Sequence, residues 1–474
     1  MKLQALILSV ALGLSSPLLA LPDRATPPPA SAPGELVLPS VHRGKLSNGL
    51  TVWVVERHEV PVVQFDLVLP GGAEKDPANA FGLASFTSDL LTEGAGGKSS
   101  LELADELDYL GATLSASSDF DSASVGLYVP VARMEPALEL MKLVVSKPDF
   151  PADEIERRRE ELLTEFLQAR DDPSGLMGLA FPSTLFPEGH RYGSLVAGRE
   201  AVIKGLTRDQ LKAFHQSSYR PEGALLVVVG DVRTDDLMKR LEQTLGGWKG
   251  EGKAAAATAP LAPVAQVEGR HLVVVDRPGS AQTVIRVARL GVDRDTPDFY
   301  SLSVLNTILG GSFTSRLNQN LREEHGYTYG ARSAFDMRHQ AGPFYAGAAV
   351  QTDKTGPALS EFFHELEAIG QPISESEVAK AKNYLAYGFP GGLLTTSQLA
   401  GELESLWVYG LEDDFLSTYV DRIQAVTSAQ VGEAARRYID PDNVVVVMVG
   451  DWAAIEPQLQ GLELGLGKVR LVKP

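Results

Sequence analysis

The chain contains no cysteine. That excludes disulfides, thiolate metal centres and a lipid-modified N-terminal cysteine. Basic residues are in deficit, with 43 Lys and Arg against 61 Asp and Glu, for a formal charge of −18. A surface of that sign disfavours nucleic acid and anionic membranes. It serves solubility first, and hints more weakly at a basic substrate or partner. After the first twenty residues no long apolar run follows, so the mature chain offers no membrane span. No G-x-S-x-G nucleophile elbow occurs. Gly94-Ala95-Gly96-Gly97 lacks the strand–helix setting of a phosphate loop and reads as a turn. The 8 histidines are scattered, with no two spaced as a local metal motif.

What is present begins with an export signal. Met1-Lys2 supplies a positive charge, Leu3–Leu14 is mostly apolar, and Ser15–Ala20 ends on a small residue. Cleavage after Ala20 sends the mature chain to a bacterial periplasm. Residues 21–40 are rich in proline and alanine and read as an extended leader. A second such stretch, residues 250–265, reads as a linker between residues 41–249 and residues 266–474. Hydrophobic content of 44% and charged content of 22% are those of a globular protein with a sizeable core.

The two halves repeat each other. RPEGALLVVVGDV (220–232) parallels DPDNVVVVMVGDW (440–452), each a turn, a buried strand and a second turn. Helices over Thr207–Ser217 and Thr427–Tyr438 precede them. PDFPADEIERRREELLTEF (148–166) parallels QPISESEVAKAKNYLAYGF (371–389), both with acidic starts and apolar residues at helical spacing. Each copy opens on a pair of strands, Thr51–Val55 with Val62–Leu69 and Leu272–Val275 with Thr283–Leu290. Arg332–Val350 adds further strands to the second sheet. Strands and helices mix without regular β-α-β alternation, which predicts an α+β fold of two homologous domains, each a mainly antiparallel sheet packed with helices.

The best-equipped segment chemically is GGSFTSRLNQNLREEHGYTYG (310–330). Arg322 and Tyr329 stand seven apart there, after Gly310 and Gly311 and a stretch of helical character. An arginine fork plus a phenol supplies several fixed donors for a carbonyl or oxyanion.

The opening strands, GLASFTSDLL (82–91), the 310–330 segment and the duplicated Pro…Gly-Asp strand follow one another in this chain. That order resembles the pitrilysin or insulinase-like zinc peptidases over about residues 42–455. The resemblance implies an H-x-x-E-H motif in the first copy, two imidazoles one helical turn apart on zinc and a glutamate that activates water. The matching positions here are Ser85, Ser88 and Asp89, so both histidines and the base are missing. The family's further glutamate falls at Glu165, 76 residues after Asp89, as a relic of the site or a solvated acid on a charged helix. In the second copy the resemblance implies that Tyr329 donates to the scissile carbonyl or oxyanion, while Arg322 holds a neighbouring substrate carbonyl. It makes Gly310 and Gly311 a turn that lets backbone lie against substrate, although turn geometry alone explains both. Tyr327 is a competing phenol at the wrong spacing, and Arg316 reads as structural. The edge near Ala112–Ser118 is the candidate for strand addition by a peptide, or a plain surface strand.

The implied function is the non-catalytic subunit of a heterodimeric zinc peptidase. It would have no activity alone and no metal of its own, with zinc expected in a homologous partner subunit and peptides as substrates. The alternative is a structural or peptide-binding subunit with no part in catalysis. A self-sufficient peptidase is disfavoured by the absent ligands and base.

Overall fold

The computed structural model describes residues 38–251 and 261–472. The export signal, residues 21–37 of the leader and residues 252–260 of the linker lie outside the described residues. Two six-stranded sheets carry the architecture. The first holds β1 (His42–Lys45), β2 (Thr51–Glu56), β3 (Val62–Pro70), β4 (Thr113–Ser118), β5 (Ser122–Pro130) and β6 (Leu225–Gly230), in the order β1-β2-β6-β3-β5-β4. The second holds β7 (Arg270–Asp276), β8 (Gln282–Leu290), β9 (Thr328–Phe335), β10 (Pro343–Gln351), β11 (Val444–Gly450) and β12 (Val469–Val472), in the order β9-β10-β8-β11-β7-β12. The β2–β6 pair is parallel, as are β7–β11 and β7–β12; every other pair within the two sheets is antiparallel.

The two opening strands of each copy do not pair with each other, contrary to the expectation from sequence. β6 lies between β2 and β3, and β11 between β7 and β8. Both inserted strands, LLVVVG and VVVVMVG, are buried along their whole length. A strand apolar on both faces takes the middle of a sheet, where helices cover it on both sides. β4 and β9 form equivalent outer edges of the two sheets. The helices before the central strands begin alike: Thr207 with Gln210 and Thr427 with Gln430 form reciprocal capping boxes. Gly96 and Gly97, at φ 60° and 85°, make the turn of a two-strand ribbon, Gly94–Ala95 with Lys98–Ser99.

One face of each sheet packs on helices of its own copy. The other face is covered by a helix from the opposite copy. Leu399, Ala400, Leu403 and Leu406 of helix Thr396–Val408 pack on Val55, Val68, Leu225, Val227 and Val229 of the first sheet. Leu176 and Met177 of helix Pro173–Ala180, with Phe181 at its end, pack on Val273, Val275, Val284, Val445 and Val447 of the second. The copies exchange helices reciprocally and form a single compact unit. Among the described residues no helix is long and apolar enough to cross a membrane.

Candidate functional site

Ser85, Ser88 and Asp89 lie on helix Leu83–Asp89. Asp76 anchors its start, its carboxylate accepting from the backbone N–H groups of Gly82 and Ala84, both at 2.7 Å. Arg191 backs Asp76 with a buried ion pair at 3.0 Å. Ser88 is fully buried and shares a 2.9 Å hydrogen bond with the hydroxyl of Tyr219, whose pKa burial pushes up to about 12. Ser85 and Asp89, one turn apart, share a face of the helix.

Arg158, on helix Ala152–Asp171, reaches that face. Its guanidinium donates to Asp89 at 2.9 Å and to Glu165 at 2.8 Å. Burial opposes its charge, but Glu165 and Asp89 hold its pKa above the ordinary value. Burial pushes the Asp89 carboxyl up, against the pull of Arg158. These residues do not fit a zinc ion. The set has no imidazole, and a fixed positive charge bridges the two carboxylates a metal would need. Glu165 is therefore one acid of an ion-pair network centred on Arg158. Arg158 escaped the sequence reading, although its place seven residues before Glu165 puts both on one helix face.

The second copy has a different character. Arg322 lies on a widened helical turn, Gln319–Glu324, of the π type that recurs at functional sites. Its guanidinium sits 4.4 Å from the ring centroid of Phe313 and 3.4 Å from the Glu323 carboxylate. Tyr329 sits at a bulge in the edge strand β9. Thr328 pairs with Val350 and Ala331 with Ala348, so Tyr329 and Gly330 together oppose Ala349. A bulge interrupts ladder hydrogen bonds and re-aims a side chain. Thr328 restores the bonding, its hydroxyl donating to the Ala349 carbonyl at 2.7 Å and meeting the Gly330 N–H at 3.2 Å. The Asn318 side chain accepts from the Ala331 N–H at 2.9 Å. Tyr329 is left 92% exposed, and its hydroxyl has no hydrogen-bond partner among the described residues.

Arg322 and Tyr329 line one cleft of about 440 Å³, together with Phe313, Asn318, Arg286 and Arg332. Gly310 and Gly311 do not line it. Gly310 is buried against β9, where a Cβ would stand 2.2 Å from the Ser333 backbone nitrogen. At Gly311 a Cβ would stand 2.8 Å from Asn306 Nδ2. Close packing against β9 by itself requires a glycine at 310, and Gly311 lies close to Asn306. Arg316 is structural as read, forked onto Glu377 at 2.8 and 3.0 Å. Tyr327 stacks on His325 at 4.9 Å and packs against the second core. The segment Ala112–Ser118 does contain the edge strand β4, whose residues alternate between exposed and half-buried.

Histidines scattered in sequence do not stay isolated in space. His339, Glu74 and Asp121 bring ligand-type atoms within 4.8 Å of one another. His339 Nδ1 lies 3.2 Å from Glu74 and 3.6 Å from Asp121, and Nε2 is 2.9 Å from the Val408 carbonyl. Tyr409 donates to Asp121 at 2.9 Å. Glu74 holds the imidazole up at about 9, against burial, which favours the protonated, ion-paired form over a metal ligand. The cluster acts as an ion-pair latch between the copies.

Two family models match the chain, insulinase (peptidase family M16) over residues 51–195 and peptidase M16 inactive domain over residues 205–385. An uncharacterized zinc protease of Mycobacterium leprae is 26% identical over 402 residues, covering 84% of this chain and 89% of its own length. One from Mycobacterium tuberculosis is 27% identical over 370 residues, covering 78% and 84%. The solved structure of a peptidase M16 inactive domain from Pseudomonas fluorescens superposes with a TM-score of 0.80 at 29% identity, over 86% of this chain and 98% of that one. A protease from Helicobacter pylori shares the fold, with a TM-score of 0.79 at 20% identity over 87% of this chain and 100% of that one.

Proposed function

We propose that this chain, which belongs to the M16 insulinase-like peptidase family, works there as the metal-free subunit of a two-chain peptidase exported to the periplasm. One contrast carries the reading. The first-copy metal positions are closed by the Arg158 bridge, while Tyr329 stands with an unengaged hydroxyl in an open cleft that Arg322 also lines. An extended peptide entering the cleft would present its carbonyls to these donors. The Tyr329 hydroxyl would donate to the carbonyl under attack, and Arg322 would hold the neighbouring one in register. A homologous partner subunit carrying H-x-x-E-H would supply the metal.

The test is to mix the mature chain with such a homologue from the same source. Neither this chain nor its Arg322→Ala/Tyr329→Phe variant should cleave peptide alone. The mixture does, and Arg322→Ala with Tyr329→Phe lowers kcat/KM by about 10²–10³. An active mixture indifferent to both substitutions would mean that the chain only supports its partner structurally. Export is checked at the N-terminus: the periplasmic protein should begin at Leu21, and an intact Met1 in the cytoplasm would refute it.

A further inference from the structure

The cleft beside Tyr329 carries a charge pattern that the donor pair does not explain. Arg286 on β8 and Arg332 on β9 are both registered opposite Gly347 on β10. Directly opposed residues share a face of the sheet. The three therefore form one row, with two arginines flanking a glycine. Their Cα atoms are two strand spacings apart, about 10 Å, within reach of one ligand for two arginine side chains. Gly347 makes the row possible, since a Cβ there would lie 3.1 Å from Arg286 Cγ and 2.6 Å from the Ile285 carbonyl.

Neither arginine makes a hydrogen bond or ion pair among the described residues, and no acidic side chain lines the cleft. Several other half-buried arginines in this acid-rich chain find carboxylates, among them Arg158 with Asp89, Arg316 with Glu377 and Arg270 with Asp442, although Arg294 is held by aromatic rings without an ion pair among the described residues. Arg286 is likewise held by two aromatic rings, with Phe181 at 4.7 Å and Tyr345 at 4.9 Å. The rings fix the guanidinium plane and leave its N–H groups unused. Burial, and then the charge of Arg332, lower the Arg286 pKa. An anion in the cleft would relieve both stresses.

We infer that Arg286 and Arg332 form a carboxylate-binding subsite, which receives an acidic side chain or the C-terminal carboxylate of a peptide lying beside Tyr329. The inference rests on the proposed function only in taking the ligand to be a peptide. It reverses the hint drawn from net charge, because the field at a cleft is set by the groups that line it.

Binding to the full chain without any partner tests it. The probes are fluorescent peptides of one Ala/Ser backbone with amidated ends and a central Glu, Gln or Lys, plus the Gln peptide with a free C-terminal carboxylate. Anisotropy titration should show at least one carboxylate peptide binding about 10-fold more tightly than the amidated Gln peptide, and the Lys peptide most weakly. Which of the two gains identifies the source of the carboxylate. Arg332→Gln, on an exposed edge position, and Arg286→Met, which keeps the apolar stem, should each reduce that advantage to about 2-fold or less, with thermal melts confirming the fold. Equal binding of charged and neutral peptides, tighter binding of the Lys peptide, no binding of any probe at about 1 mM, or an advantage undiminished in both variants would overturn it. An intact carboxylate preference with an inactive mixture would sink the proposed peptidase role and leave the subsite standing. An active mixture whose chain binds Glu and Gln alike would do the reverse.

Discussion

Installing histidine at Ser85 and Asp89 would recreate, with Glu165, the His₂Glu set of a catalytic zinc site. We nevertheless expect the double variant Ser85→His/Asp89→His to bind zinc poorly, because Arg158 already occupies the metal's electrostatic place. Its Nη1 lies 2.8 Å from a Glu165 oxygen. A metal ligated by that oxygen at about 2 Å would stand within about 5 Å of the guanidinium. Repulsion between charges of +2 and +1 at about 5 Å is about 7 kcal/mol at an effective dielectric of about 20. The Arg158 side chain is 22% exposed and loses one partner when Asp89 is replaced, so it can swing aside. If about half the repulsion survives, about 3 kcal/mol remains, a factor of about a hundred in Kd. Adding Arg158→Gln to the double variant should therefore tighten zinc binding about 100-fold. Calorimetric titration with zinc chloride gives both constants, and zinc per chain after dialysis checks the stoichiometry. Equal affinities for the double and triple variants would refute the argument that Arg158 stands in for the metal.

Asp76→Asn strands Arg191 in the interior and weakens the anchor of helix Leu83–Asp89, so urea denaturation should show a loss of about 3–5 kcal/mol; a loss below about 1 kcal/mol would contradict the buried pair. Gly310→Ala drives a methyl into the Ser333 backbone and should cost about 1–3 kcal/mol. Tyr329→Phe, at an exposed and unpaired hydroxyl, should leave the melt within about 0.5 kcal/mol of the parent. The latch makes stability fall as pH rises. His339, facing Glu74, Asp121 and Tyr409, is held at about 9 when folded. Its contribution is complete below about 6.5 and is lost as pH climbs through about 9. Glu404 is pushed up to about 7, by burial and then by Asp66 and Asp119. It keeps its proton when folded but releases it near pH 4.5 when unfolded, so its share is lost between about 4.5 and 7. His339→Gln should flatten the upper window and Glu404→Gln the lower, read by chemical denaturation across pH; slopes unchanged in the variants would show that other groups carry them.

The duplication and the α+β class were legible because they are written locally. Central strands announce themselves as unbroken apolar runs, and the T-x-x-Q starts recur before them. Those runs also implied an interior place in a sheet for LLVVVG, yet the adjacency of the two opening strands in sequence suggested that they pair with each other. The helix exchange was not legible. The apolar face of Thr396–Val408 says that a sheet must be covered, not which sheet. At the site, the spacing of Arg322 and Tyr329 could be read directly, but the bulge that turns Tyr329 outward depends on Thr328 and Asn318, whose roles appear only in the ladder. Arg286 and Arg332 are far apart in sequence and meet through strand register alone. Net charge pointed to a basic ligand because it averages over a surface that the cleft does not share.

The exchange also gives the first copy a structural part in the second. Helix Pro173–Ala180 covers the outer face of the second sheet; its Ser174 lines the cleft that holds Arg322 and Tyr329, and the following Phe181 packs on Arg286 of that cleft. The first copy is therefore part of the second copy's fold and of its site. Residues 261–472 expressed alone should expose Val273, Val275, Val284, Val445 and Val447 as one continuous apolar face. A patch of that kind on an isolated sheet binds dyes such as ANS and drives association. The fragment should be aggregated or molten, without a cooperative melt, while co-expression with residues 38–251 should restore both solubility and the melt. A soluble monomeric fragment that melts cooperatively at the temperature of the full chain would refute this account, because the second copy would then need nothing from the first.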